Sequence, residues 1–155
     1  MIDSVNELID ELNKAPEILK EKLGGRDDIE PQSPEDWGPV EIVAHMAETE
    51  RIQRNRMHEI LTKHVPYLKD WDPVEAARQK DYSSMSMQGV LDEFVDQRGD
   101  TLVLLVNLAL KDWDRTGMSD TLGEVSIEDI AGDLIDHDQQ YLKQIDEYLA
   151  NRSVS

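Results

Sequence analysis

The chain has 155 residues and no cysteine. Its length suits one domain over residues 1–155, and its composition excludes disulfides, thiolate catalysis and cysteine-based zinc sites. The 34 Asp and Glu residues outnumber the 16 Lys and Arg residues, and the formal net charge of −18 disfavours direct binding to nucleic acid or to anionic membranes. The N-terminus lacks a signal-peptide pattern and the longest apolar stretch is interrupted by Asn107, so we expect a cytoplasmic protein without a membrane span.

Apolar residues recur at intervals of three and four along most of the chain, which favours helices over strands. We predict a first helix from about Ser4 to Leu23, ended by the glycine pair that begins at Gly24. A second helix should begin at Pro39, where a missing N–H does no harm, and continue to about Lys63.

The second half of the chain predicts two further helices separated by loops. Residues 64–86 form a long connection that holds at most a short helix from Val74 to Gln79. Ser86 can cap a third helix that ends near Lys111. Ser126 begins a pattern similar to a capping box and starts the fourth helix. The predicted fold is therefore all-α, a four-helix bundle with a long connection between helices two and three.

Two histidines are predicted to point inward from different helices. His45 shares a helical face with Ile42 and Thr49 in the second helix, and His137 lies one turn before Tyr141 in the fourth. Inward imidazoles on facing helices are a common way for bundles to build a metal site. Hydrogen-bonded core histidines are the alternative interpretation of the same spacing.

Three stretches of the chain together resemble the DinB-like superfamily: WGPVEIVAHMAETER from Trp37, GEVSIED from Gly123, and HDQQY from His137. The resemblance covers roughly residues 5–150. It implies a four-helix bundle that binds a divalent metal, often nickel or zinc, through one histidine of helix two and a His-x-x-x-His pair of the last helix. Matched in this way, His45 and His137 take the first two ligand positions, and the third falls on Tyr141.

Tyr141 changes the chemistry that the resemblance implies. A neutral phenol is a poor ligand for zinc or nickel, and its ordinary pKa of about 10 makes tyrosinate costly at neutral pH. Glu48, one turn from His45, or Asp133, four residues before His137, could instead complete a site with two histidines and one carboxylate. We favour a metal-free pocket in which Tyr141 and the two imidazoles form a hydrogen-bonded cluster.

Arg98 and Glu50 are predicted to belong to the same neighbourhood. Arg98 lies on the apolar stripe of the third helix with Phe94 and Leu105, and a buried guanidinium requires a carboxylate partner. A structural ion pair with Glu50 is the interpretation we favour. Binding of an anionic ligand at the pocket is the alternative.

The function we favour is a small-ligand-binding or stress-associated module with a degenerate pocket at His45, His137 and Tyr141. The alternative, implied by the resemblance, is an enzyme: a divalent-metal-dependent thiol S-transferase or hydrolase that uses His45 and His137 as ligands. The damage-inducible origin of the family name suggests DNA association, which the charge opposes. Resemblance also favours a homodimer.

Overall fold

The computed structural model of the protein describes residues 2–72, 75 and 80–154. Four long helices lie in this part of the chain and form the predicted bundle. They are α1 (Ile2–Leu23), α2 (Pro39–Thr62), α3 (Met87–Val106) and α4 (Ile127–Val154). The short helix predicted from Val74 to Gln79 lies outside the described residues, apart from Glu75. Among the described helices, none combines the length and apolar character that a membrane span requires.

Helices α2 and α3 run parallel to each other. Arg98 of α3 bonds Glu50 of α2 at 2.9 Å, and Met57, two turns further along α2, lies in one apolar cluster with Leu105 of α3. Because the residue numbers rise together on both helices, the chain must return along the bundle between them. The long connection between α2 and α3, residues 63–86, makes this return.

Side-chain caps mark the starts of α3 and α4 as predicted. The Ser86 hydroxyl accepts a hydrogen bond from the Gly89 amide at 3.0 Å. Ser126 and Asp129 bond reciprocally, amide to side chain, at 2.9 and 3.0 Å. Each cap satisfies amides that have no partner within the first turn of the helix.

The third helix is shorter than the sequence predicts. It ends at Val106 instead of near Lys111, and a 3₁₀ helix from Leu110 to Asp114 follows. The Asn107 side chain donates to the carbonyl oxygen of Val103 at 2.8 Å, which gives the backbone an alternative to a further helical turn. The 3₁₀ helix then buries Trp113 in the core.

A short hairpin replaces part of the predicted loop before α4. Strands β1 (Thr116–Ser119) and β2 (Gly123–Ser126) pair antiparallel. The long connection docks on this hairpin, because the Leu68 amide donates to Met118 and the Met118 amide donates to Pro66, both at 2.8 Å. Strands of four residues are too short to show a clear alternation of apolar and polar residues in the sequence. The sequence therefore did not predict them.

The core has an apolar cluster towards each end of the bundle. The first is centred on side chains such as Leu19, Val43 and Phe94, and the second contains Met57 and Leu134. Three buried charged residues, one on each of α2, α3 and α4, fall between the positions that these helices contribute to the two clusters. These residues are Glu50, Arg98 and Asp138. A buried ionic layer therefore separates the two apolar clusters.

Candidate functional site

The rings of His45 and His137 both lie close to the ring of Tyr141. The ring centroids of His45 and Tyr141 are 5.4 Å apart, and those of His137 and Tyr141 are 6.3 Å apart. The ring centroid of Trp37 lies 5.2 Å from that of His45 and 6.2 Å from that of Tyr82. These five side chains, which we call the ring cluster, connect α2, α4, the loop before α2 and the long connection.

His45 is held in its neutral form. Its side chain is buried, with 2% of the residue exposed. Burial, followed by the neighbouring charges of His137 and Lys80, lowers the pKa of His45 from 6.5 to about 4 although Glu48 acts in the opposite direction. A neutral imidazole at physiological pH can accept a hydrogen bond or ligate a metal.

A small cavity beside the ring cluster contains two unsatisfied polar atoms. His137 Nδ1 and Thr49 Oγ1 are buried without a hydrogen-bond partner within the described residues. Both residues line a cavity of about 10 Å³, together with Glu50, Asp138 and Tyr141 among others. This volume is close to the minimum that admits one water molecule, so the cavity is far too small for an organic ligand.

The donors around the ring cluster do not fit a tightly bound metal. Burial raises the pKa of Tyr141 above its ordinary value, so the phenol stays protonated. Glu48 bonds Arg51 and Lys80 instead of approaching His45 as a free carboxylate, and Asp133 is exposed on α4. In the described part of the chain, no three His, Asp or Glu side chains are grouped so that they could hold a metal ion.

Arg98 sits at the centre of the buried ionic layer. Its guanidinium bonds Glu50 at 2.9 and 3.0 Å and Asp138 at 2.8 and 2.9 Å, and it also donates to the carbonyl oxygen of Leu12 at 2.6 Å. All five N–H donors of the guanidinium are therefore used. No donor is left for an anionic ligand, and the layer ties four helices together.

Asp138 was not singled out by sequence reasoning, although it is the second carboxylate on Arg98. It is buried, and burial raises the pKa of Asp138 despite the hydrogen bonds from Arg98. A signal for it existed, since Asp138 follows Leu134 and precedes Ile145 on the apolar stripe of α4. A fully buried guanidinium also needs more acceptors than one carboxylate supplies.

A larger cavity of about 310 Å³ lies between α2, α3 and the end of the long connection. We call it the α2–α3 cavity. Apolar atoms of Ala44, Ala47, Val90 and Tyr82 form much of its wall. Its volume falls at the lower end of the range of about 300–1,000 Å³ that is typical of small-molecule sites.

Charged side chains line one part of the α2–α3 cavity. The Glu48 carboxylate accepts from Arg51 at 2.6 Å and pairs with Lys80 at 3.2 Å. Burial opposes ionisation of Glu48, but the hydrogen bonds from Arg51 and Lys80 outweigh it and lower the pKa of this carboxyl. Glu93 lies on the α3 side and accepts from Gln97 at 2.9 Å.

The sequence did not indicate this cavity. Ala44, Ala47 and Glu48 occupy ordinary helix positions, and Lys80 and Tyr82 belong to the long connection, where no periodicity predicts a neighbour. Trp37 begins one of the stretches that carry the family resemblance, but nothing in the sequence places its ring beside Tyr82. Only the return path of the connection brings Tyr82 against Trp37 and Lys80 against Glu48.

Comparison with known proteins identifies relatives in sequence and in fold. A sequence model described as the DinB superfamily matches residues 4–145. The solved structure of YfiT from Bacillus subtilis, described as a probable metal-dependent hydrolase with an unusual four-helix bundle topology, superposes with a TM-score of 0.80. The alignment is 21% identical and covers 96% of this chain and 87% of YfiT. No curated protein matches the chain.

Proposed function

The chain belongs to the DinB superfamily, and on that premise we propose that it is a small-ligand-binding member whose function does not depend on a tightly bound metal. The α2–α3 cavity is the observation that carries this proposal. Its volume of about 310 Å³ accommodates a small organic molecule, whereas the cavity beside His137 accommodates no more than about one water molecule.

The α2–α3 cavity adjoins the ring cluster. Tyr82 lines the cavity and contacts Trp37, which in turn contacts His45. Ala44 and Glu48 flank His45 along α2 and also line the cavity. A ligand bound there would rest against side chains that the ring cluster holds in place, which is the preorganisation that small-molecule sites use.

Filling the cavity should abolish ligand binding. We expect members of a mixed set of small neutral, anionic and cationic aromatic compounds to bind the full chain and to shift the backbone NMR signals of Ala47 and Val90. Ala44→Leu adds bulk at the cavity wall and takes up space that the ligand would fill. We expect it to weaken the binders at least about tenfold, since each ligand methylene that can no longer be buried loses about 0.8 kcal/mol of binding free energy.

The matched control is Ala150→Leu, an exposed position on α4, which should leave binding unchanged. Thermal unfolding of both variants checks that the bundle is intact. Binding that survives in Ala44→Leu, or the absence of any signal shifts at the cavity, would contradict the proposed function.

A metal-dependent hydrolase or thiol S-transferase is the second candidate. Neutral His45 favours it, as does the Nδ1 of His137, which has no hydrogen-bond partner among the described residues, and YfiT is described as a probable metal-dependent hydrolase. The donor set argues against it, because a protonated Tyr141 occupies the position of the third histidine.

Tyr141→His should create metal binding that the natural chain lacks. Outer-shell partners alone change metal affinity by about 10–100-fold, so we expect a new third ligand to raise the affinity for nickel or zinc by more than about 100-fold. Calorimetric titration at neutral pH measures this change, using protein purified without an affinity tag.

Two controls make the metal experiment decisive. His45→Ala with His137→Ala in the Tyr141→His background should remove the new binding. If the natural chain itself binds either ion stoichiometrically at micromolar concentration, and the double alanine variant does not, the metal-dependent candidate replaces the function proposed above.

A further inference from the structure

The two cations of the α2–α3 cavity share a single carboxylate. Arg51 and Lys80 both pair with Glu48, and each makes one hydrogen bond or ion pair within the described residues. Their side chains are 46% and 45% exposed. Arg98 provides the contrast, since all five of its donors are used. Donors of Arg51 and Lys80 therefore remain free to bind a second anionic group.

The charge of this corner is unusual for the protein. The whole chain carries a formal net charge of −18, whereas the four charged residues that line the cavity, Glu48, Arg51, Lys80 and Glu93, balance to zero, with both cations on the carboxylate of Glu48. A carboxylate is the small group that matches such a pair geometrically, because it accepts two hydrogen bonds at once from a guanidinium or from neighbouring cations.

The remaining wall determines what the carboxylate would be attached to. Ala44, Ala47 and Val90 offer an apolar surface, and the Tyr82 ring offers an aromatic one. Glu93 contributes a negative charge from α3. A second negative charge on the ligand would be repelled by Glu93 and by Glu48.

We propose that the α2–α3 cavity binds a small monocarboxylate with an apolar body, the carboxylate on Arg51 and Lys80 and the body on the apolar wall. This inference rests on the proposed function, because it names the ligand class of the same cavity. Glu48 then weakens binding of the carboxylate, because its own negative charge lies on the same two cations.

Matched probes test the ligand class. We expect 3-phenylpropanoate to bind the full chain about tenfold more tightly than 3-phenylpropanamide, as one charge-assisted pair of hydrogen bonds would produce. Phenylsuccinate, with a second carboxylate, should bind more weakly than 3-phenylpropanoate. Arg51→Gln with Lys80→Gln should remove the preference for the acid over the amide, and Glu48→Gln should tighten binding of the acid several-fold.

The control for net charge is Lys14→Gln with Arg115→Gln, which removes two exposed cations outside this cavity and should retain the preference. If acid and amide bind equally and Ala44→Leu abolishes both, the carboxylate inference fails while the proposed function stands. If the acid binds and neither Ala44→Leu nor the Arg51 and Lys80 double variant weakens it, both fail. Failure of 3-phenylpropanoate to bind at millimolar concentration, while other aromatic compounds bind the cavity, also overturns the inference.

Discussion

Replacing Arg98 with methionine should destabilise the protein by about 3–5 kcal/mol. Arg98 is 1% exposed, and it is the cation that bonds the two buried carboxylates of Glu50 and Asp138. Removing it would leave two unpaired negative charges between the two apolar clusters, and it would also leave the carbonyl oxygen of Leu12 without this donor. Urea unfolding followed by circular dichroism measures the loss in the free energy of unfolding.

The variants of the two carboxylates separate the loss of charge pairing from the loss of packing. Arg98→Met combined with Glu50→Gln and Asp138→Asn should recover a large part of the lost stability, because neutral groups cost less to bury than unpaired charges. Arg26→Met removes an exposed cation paired with Asp28 and should change the free energy of unfolding little. A triple variant no more stable than Arg98→Met would show that shape, and not charge, governs this layer.

Acidification from pH 6.5 to pH 4 should cost the protein about 3 kcal/mol through His45 alone, because its folded and unfolded pKa values differ by about 2.5 and each unit is worth about 1.4 kcal/mol. In the unfolded chain the imidazole binds a proton near its ordinary pKa of 6.5, whereas burial holds the folded pKa at about 4. Between these values the unfolded state binds more protons than the folded state. The stability contribution is therefore complete above pH 6.5 and is lost as the pH falls to about 4.

The pH dependence of His45→Gln isolates this contribution from that of the carboxylates. We expect its free energy of unfolding to fall by about 3 kcal/mol less than that of the natural chain over the same range. The matched control is His58→Gln, an exposed histidine of the same helix, which leaves His45 in place and should retain the full loss. Equal losses in the natural chain and in His45→Gln would show that His45 is not held neutral.

The helical pattern of the sequence was sufficient for the bundle, and the stretches that begin at Trp37, Gly123 and His137 were sufficient for the resemblance to a known family. Apolar residues at intervals of three and four predicted four helices, and Ser86 and Ser126 marked two helix starts that the structure confirms. The resemblance to the DinB-like superfamily is confirmed by the match over residues 4–145. Local signals succeed here because caps and periodicity depend on residues within one turn of each other.

Short and irregular elements were beyond the pattern. The end of α3 was predicted near Lys111 and lies at Val106, and the hairpin that contains Met118 was predicted as loop. The hairpin is held by contacts distant in sequence, such as the backbone bonds between Met118 and the long connection at Pro66 and Leu68. Pairing between distant segments leaves little trace in local composition.

The sequence by itself determined which residues face inward, and only the tertiary structure decided what they meet. Periodicity orients His45, Arg98 and His137 relative to their own helix axes, but it carries no information on which side chain lies opposite. The packing of α2 and α4 against α3 brings Glu50 and Asp138 onto one guanidinium. The return connection between α2 and α3 brings Lys80 onto Glu48. Charge pairing, and with it the division between a closed ionic layer and an open ligand cavity, is a property of the packed helices.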